Sequence, residues 1–268
     1  MTSKILIINA DDFGYDRDAT AGILELLADK KISSTTVMAN LVKENEVISL
    51  KKFTGIGTGL HLNLIEGSPI SEPRDIPSLV GKEGKFLGAK GLLKNAILNK
   101  ISEEEIYQEV KAQLKKLTDF GLNLSHVDSH QHAHQFPIIG PIILRALAKL
   151  KIKKVRNSIP LGASVAFRSV LLQLFTKLSP VEKNQFLTTD GLISNFSFGQ
   201  KITLDGFEKA IQSSFAQANS LEFMTHPALE NKLDSYLKRK EEFLFWKKEP
   251  VQEVLKSKGI RLIHFGEL

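Results

Sequence analysis

Nine consecutive residues, His126-Val-Asp-Ser-His-Gln-His-Ala-His134, hold four of the chain's seven histidines and one aspartate. His126, Asp128, His130, His132 and His134 all fall on even positions. If the stretch runs extended they share one face, because side chains on a strand alternate with period two. Same-face neighbours lie roughly 6 to 7 Å apart, so one metal could take only one or two of these imidazoles directly. Its other ligands must come from elsewhere in the chain.

Suitable groups stand at the ends of other apolar runs. Asp11 and Asp12 close Lys4-Ile-Leu-Ile-Ile-Asn9, and His61 lies in Gly57-Thr-Gly-Leu-His-Leu-Asn-Leu64, out of phase with the leucines. Arg156 and Asn157 end a short run at Lys154, and His226 follows Leu221-Glu-Phe-Met-Thr225. A carboxylate with two imidazoles from separate strands makes a three-ligand divalent site with open positions, which suits a catalytic metal. Those positions would hold water and a substrate oxygen. A second carboxylate alongside could take the proton from that water.

Such groups converge only if the strands run parallel with their carboxyl ends on one face. The chain alternates accordingly. Apolar or β-branched runs at 4–9, 33–39, 57–64, 126–134, 154–156, 221–225 and 261–264, with a weaker one at 186–189, read as strands. Between them come a helical segment with Ile23, Leu26 and Leu27 on one face and helices near 43–50, 102–121, 138–150, 165–178, 204–218 and 234–258. Ser102 and Glu105 make a capping box for the 102–121 helix, Val110, Leu114 and Leu117 its buried stripe, and Gly121 its stop. Residues 65–93, rich in glycine, proline and charge, read as a long loop of functional or lid character. About eight strands alternating with helices argue for an irregular (β/α) barrel with parallel strands and the metal site at their carboxyl ends, with a doubly wound sheet as runner-up. No repeat or linker divides residues 1–268, which read as a single domain.

Composition narrows the function. With 42% hydrophobic and 25% charged residues the chain is of soluble globular type. Without cysteine there is neither a disulfide framework nor a thiolate metal site. The net charge is +6, but the lysines are scattered in small groups such as Lys151, Lys153 and Lys154 and read as solvated helix ends, not a nucleic-acid surface. The apolar run near the start is too short for a signal peptide, and no stretch of about twenty apolar residues could span a membrane, so a cytoplasmic place is expected.

At these residues the chain resembles the YdjC-like carbohydrate deacetylases, the family that includes the chitooligosaccharide deacetylases. The likeness rests on Asn9-Ala-Asp-Asp-Phe-Gly14, Ser34-Thr-Thr with Asn40, Gly59-Leu-His-Leu-Asn-Leu64, the 126–134 stretch, Arg156, and Met224-Thr-His-Pro227. Gln131 stands where members often carry another histidine, and Thr225 and Ala228 where cysteine and glycine are more frequent. The resemblance implies an irregular barrel, a divalent metal usually assigned as magnesium, removal of acetyl from an N-acetylated sugar, and a homodimer. It also implies Asp12, His61 and His130 as metal ligands. Two imidazoles would suit zinc at least as well as magnesium. Asp11 is then expected as general base and His226 as general acid.

Plainer roles compete. Asp11 and Asp12 could cap the following helix, and His61 could be an interior histidine. His126, His132 and His134 are expected as supporting partners or sugar contacts, and Asp128 as the group orienting an imidazole. Arg156 suits a substrate or oxyanion contact or a structural ion pair. Trp246 reads as core or interface, and His264 has no assigned role. A phosphoesterase on the same Asp and His site, or a non-catalytic sugar-binding protein, are the rival functions.

Overall fold

The computed structural model describes residues 4–162, 167–194, 202–233 and 235–268. In chain order the elements are β1 (Lys4–Phe13), α1 (Arg17–Ala28), β2 (Ser34–Val37), α2 (Glu44–Leu50), β3 (Gly57–Leu62), α3 (Gly88–Ile97), α4 (Glu103–Asp119) and β4 (His126–Ser129). They continue with α5 (Ile139–Lys149), α6 (Phe167–Leu178), β5 (Gly191–Ile193), α7 (Leu204–Phe215), β6 (Ser220–Thr225), α8 (Arg239–Lys248), α9 (Val251–Ser257) and β7 (Ile260–Leu262). All strand pairs are parallel, in the order β4-β3-β2-β1-β6-β5, with β7 added against β1.

The sheet curls into an irregular barrel, because the segment after α5 bridges its two ends. Val155 pairs with Val127 of β4, Lys154 with Leu187, and Pro160 with Leu192 of β5. The expected strands at 154–156 and 186–189 are thus reduced to single bridges, and β5 lies just beyond the second of them. This closure excludes the open doubly wound alternative.

Alternation along β1 separates two environments. Leu6, Ile8 and Ala10 join the main core under the helices, where α1 packs on β1, α4 on β3 and α7 on β5 and β6. Ile7 points the other way, into a small interior cluster with Ile263 and Phe265. Beyond that cluster the barrel interior is polar. Asn9, Asp11, Thr36, His61, Asp128 and Glu222 are all buried there. β7 occupies the early part of one β1 edge, at Lys4 to Leu6, while β2 takes the later part from Asn9. Phe265, just after β7, stacks on the His126 ring at 3.8 Å. That ring fits only because Gly59 faces it, as a Cβ there would come within 2.5 Å.

Three expectations change. The histidine-rich stretch is a strand only to Ser129; residues His130–Gln135 form a 3-10 turn in which Gln131 and His132 have φ of 51° and 58°. Ser129 Oγ pins that turn, lying 3.0 Å from the His134 backbone N–H and 2.5 Å from its Nδ1. Residues 65–93 are not a free lid. Ile76 and Leu79 are buried, and the Glu109 carboxylate on α4 accepts from the N–H groups of Ile70 and Ser71 at 3.0 and 2.9 Å. The long helix expected at 234–258 is two helices, broken where Pro250 removes a donor; position 234 and positions 165 and 166 of the expected 165–178 helix lie outside the described residues. Among the described residues no helix is long and apolar enough to cross a membrane.

Candidate metal centre and active site

Adjacent residues of a regular strand point to opposite faces, yet Asp11 and Asp12 both reach one site. The register of β1 against β2 shifts between Ala10 and Phe13, and Asp12 has φ 69°. A bulge thus turns the second carboxylate round, and aspartate tolerates the left-handed backbone better than most residues. Gly14 follows with φ 85°, where a Cβ would meet Val42 at 2.5 Å. Neither aspartate caps α1; Asp16 does, accepting from the Ala19 N–H at 2.8 Å.

Asp12 Oδ1 faces two imidazoles, with His61 Nε2 at 3.2 Å and His130 Nδ1 at 3.3 Å. One donor atom from each of the three residues lies within 4.8 Å of the others. His61 Nδ1 is 2.8 Å from Asp128 Oδ1 and 3.2 Å from Thr36 Oγ1, and Thr36 donates to Asp128 Oδ2 at 3.0 Å. With its proton on Nδ1, a neutral His61 aims the Nε2 lone pair at Asp12. Lone pair against carboxylate is repulsive unless a proton or a cation lies between them.

The donor set fits a divalent cation. Despite the short distances, Asp12 Oδ1 and His130 Nε2 are buried without a well-formed hydrogen bond. Among the described residues the carboxylates of Asp11, Asp128 and Glu222 share the Arg156 guanidinium, while Asp12 pairs with Arg239 through Oδ2 and leaves Oδ1 facing the imidazoles. Burial opposes the charged form of Asp12, but Arg239 and the two imidazoles hold its carboxyl well below the usual range. Burial likewise disfavours the His61 cation, yet Asp128 and Asp12 raise it to about 10. Protons and a metal would compete for these atoms. A second grouping, Asp11, His61 and Asp128, is equally compact, but its carboxylates are already tied to Arg156.

Arg156 is wholly buried. Its guanidinium grips Asp11 at 2.6 and 2.7 Å, Asp128 at 2.8 Å and Glu222 at 2.5 Å. It therefore joins β1, β4 and β6 as an ion-pair hub, the structural one of the two roles the sequence left open, and it is absent from the cavity lining that a substrate contact would need. Burial raises Asp11, but Arg156 overrides this and keeps its carboxyl far below the ordinary value. Glu222 goes the other way, pushed by burial up to about 7 despite the same arginine.

His226 places Nε2 3.9 Å from Asp11 Oδ2. Its backbone N–H donates to Glu242 at 2.6 Å, and Glu242 also accepts from Thr225 Oγ1, which Trp246 Nε1 reaches at 2.7 Å. Burial lowers the ring's proton affinity, so it rests neutral. A cavity of about 1170 Å³ opens over Asp11, Asp12, His61, His130, His132 and His226. His132 bonds Ser158 Oγ at 3.0 Å at its edge. His134 is absent from the lining: its nitrogens are taken by Ser129 and, at 3.0 Å, the Arg156 carbonyl. Of the two roles expected of His134, supporting partner or sugar contact, its bonds are those of a supporting partner.

A family model described as YdjC-like protein matches residues 5–257. The chain belongs to the YdjC-like family. A relative named carbohydrate deacetylase, from Brevibacillus brevis, is 32% identical over 269 residues, covering 98% of this chain and 99% of the relative. One named chitooligosaccharide deacetylase, from Serratia marcescens, is 33% identical over 228 residues, covering 84% and 82%. A crystal structure of an Enterococcus faecalis protein proposed to cleave cellobiose-phosphate superposes with a TM-score of 0.79 at 24% identity, covering 99% of this chain and 98% of that one. That likeness is one of fold.

Sequence reasoning missed part of this YdjC-like site. Arg239 Nη2 holds Asp12 Oδ2 at 2.5 Å, and Glu66 Oε1 lies 3.4 Å from His130 Nε2. Arg239 sits in the basic run Lys238-Arg239-Lys240, which looks like a solvated helix end, and Glu66 in the glycine-rich segment. Glu222 did carry a signal, since a charge inside an apolar strand demands a buried partner.

Proposed function

We propose that this YdjC-like protein is a metal-dependent hydrolase that removes the acetyl group from an N-acetylated sugar, releasing acetate. The observation that carries the reading is the convergence of Asp12, His61 and His130 in one cavity beside Asp11 and His226. The names of the curated relatives support the substrate class. Asp12, His61 and His130 would hold a divalent cation, which we assign as magnesium, with zinc as the alternative that two imidazoles suit. When bound, such an ion supplies Lewis acidity to the acetyl carbonyl and acidifies water beside it.

Proton movement falls to the chain's own groups. Asp11, held ionised and oriented by Arg156, accepts the proton of the attacking water as general base. With Nε2 of the neutral His226 3.9 Å away, a water between the two can relay that proton to it. His226 then gives it to the sugar nitrogen as the C–N bond breaks, and the new C–O bond leaves the acyl group as acetate. Asp128 and Thr36 fix the His61 ring, and Glu242 fixes the backbone at His226.

The test is acetate release from a panel of N-acetylated sugars and chitooligosaccharides, with and without chelator, followed by metal add-back. Chelator-sensitive release is expected. Metal-loaded protein that liberates no acetate from any member would refute the reading.

A further inference from the structure

Above its polar floor the cavity changes character. Val170, Leu174 and Leu178 repeat at four-residue spacing on the solvent side of α6, where they are 55%, 52% and 59% exposed. A surface helix ordinarily presents charged or polar side chains there, and contiguous exposed apolar surface on a soluble protein marks a site of contact. The same helix sends Leu171, Leu172 and Phe175 into the cavity lining, joined by Leu233, Tyr236 and Leu237. Phe175 is braced edge-on by Phe136 at 5.6 Å. At about 1170 Å³ the space exceeds the roughly 300 to 1,000 Å³ of most small-molecule sites.

The apolar stripe thus adjoins, on the same helix, the lining of the chamber that holds Asp12, His61 and His130, so a substrate that reaches out along α6 would lie on these leucines rather than on the polar lining at Lys90, Gln131 and Lys232. Sugar hydroxyls seek hydrogen-bond partners, and leucine side chains offer none. A hydrocarbon chain loses nothing by lying on them and gains by leaving water.

We infer that the substrate is an N-acetylated sugar joined to an apolar aglycone, an alkyl or prenyl chain, that lies on Leu171, Leu172 and Phe175 and runs out past Leu174. This rests on the deacetylase reading, since it seats the acetamide on the polar floor.

The test compares acetate release from the octyl and methyl β-glycosides of N-acetylglucosamine, the octyl compound kept below its micelle concentration. A fully buried methylene is worth about fourfold in affinity, so even partial burial of seven more should favour the octyl glycoside by about tenfold or more in kcat/KM. Leu171→Asn and Leu174→Asn are expected to bring that ratio towards one. Ile48→Asn, at an apolar residue 54% exposed and outside the cavity lining, is expected to leave it unchanged. A ratio near one in the native protein, or one that both α6 variants leave intact, overturns the inference. So does loss of a dimer in those variants with the ratio preserved, which would make the stripe a subunit interface.

Calorimetric binding of the deacetylated octyl and methyl glucosaminides separates the two claims. Tighter octyl binding, lost in the α6 variants, upholds the apolar site even if no acetate is released, and the deacetylase reading is then the one that falls.

Discussion

Asp128 Oδ1 sits 2.8 Å from His61 Nδ1, and this contact decides which face of the imidazole meets Asp12. Asp128→Asn keeps the shape and removes the charge. Supporting contacts of this kind are typically worth about 10- to 100-fold in metal affinity, and a loss in that range is the expected outcome of chelator competition. Unchanged affinity would mean that Thr36 alone orients the ring.

Substitution of Asp12, His61 or His130 by alanine should abolish metal binding in each case. His134→Ala should keep the metal and lose stability instead, by about 1–3 kcal/mol, because Ser129 and the Arg156 carbonyl are left unpaired in the interior. Metal analysis and urea unfolding of the four variants check this. Equal metal loss in all four would show that the turn after Ser129 is itself part of the centre.

The adjacent aspartates should differ in phenotype. Asp11→Asn is expected to bind metal nearly as before and to lose about 10²-fold or more in turnover, the range of a general base. Asp12→Asn should lose the metal as well. His226→Ala, folded by its circular dichroism, should turn over about 10²-fold slower or worse. Reversal between the aspartates would exchange ligand and base.

Arg156→Met would leave Asp11, Asp128 and Glu222 buried without their cation, at an expected cost of about 3–5 kcal/mol. Burial without that cation would make Asp11 and Glu222 take up protons more readily folded than unfolded, so the deficit should shrink as the pH falls towards the ordinary carboxylate range. Urea midpoints of both proteins at descending pH measure it. A deficit that stays constant would show that the hub's charges matter less than its packing.

Asp190 is shifted the other way, yet its stabilisation also fades in acid. Burial raises its carboxyl, but Lys183 and the N–H groups of Ser220 and Asn219 bring it from 3.8 down to about 2. A depressed folded pKa stabilises above the unfolded value, and the benefit fades as the pH drops from 3.8 towards 2. Asp190→Asn should therefore be less stable than the native chain at neutral pH, with the gap narrowing across that acid window. A gap that widens there would contradict the assignment.

The convergence of Asp12, His61 and His130 was legible because each is an unusual residue type near the end of an apolar run, and parallel strands carry such ends to one face. Strand logic failed one residue past Ser129, where a single hydroxyl reverses the chain; period-two reasoning cannot see a turn built from a serine and a histidine five residues apart. Arg156 was legible as a strand-end cation but not in its role, since the three acids that claim it come from strands far apart in sequence. Residues 65–93 looked loose because glycine and proline hide the fact that Glu109, a helix residue, supplies the missing hydrogen-bond acceptors.

The two partners sharing one edge of β1 have a consequence for biosynthesis. β1 leaves the ribosome long before β7, yet the early part of that edge stays uncovered until β7 and Phe265 have been made. Such a pairing, between strands far apart in sequence, is slow to form and leaves strand edge open meanwhile. The nascent chain would therefore carry an exposed aggregation-prone edge from the synthesis of β1 to that of β7, a period in which a chaperone that masks short apolar strands would have its main effect on yield.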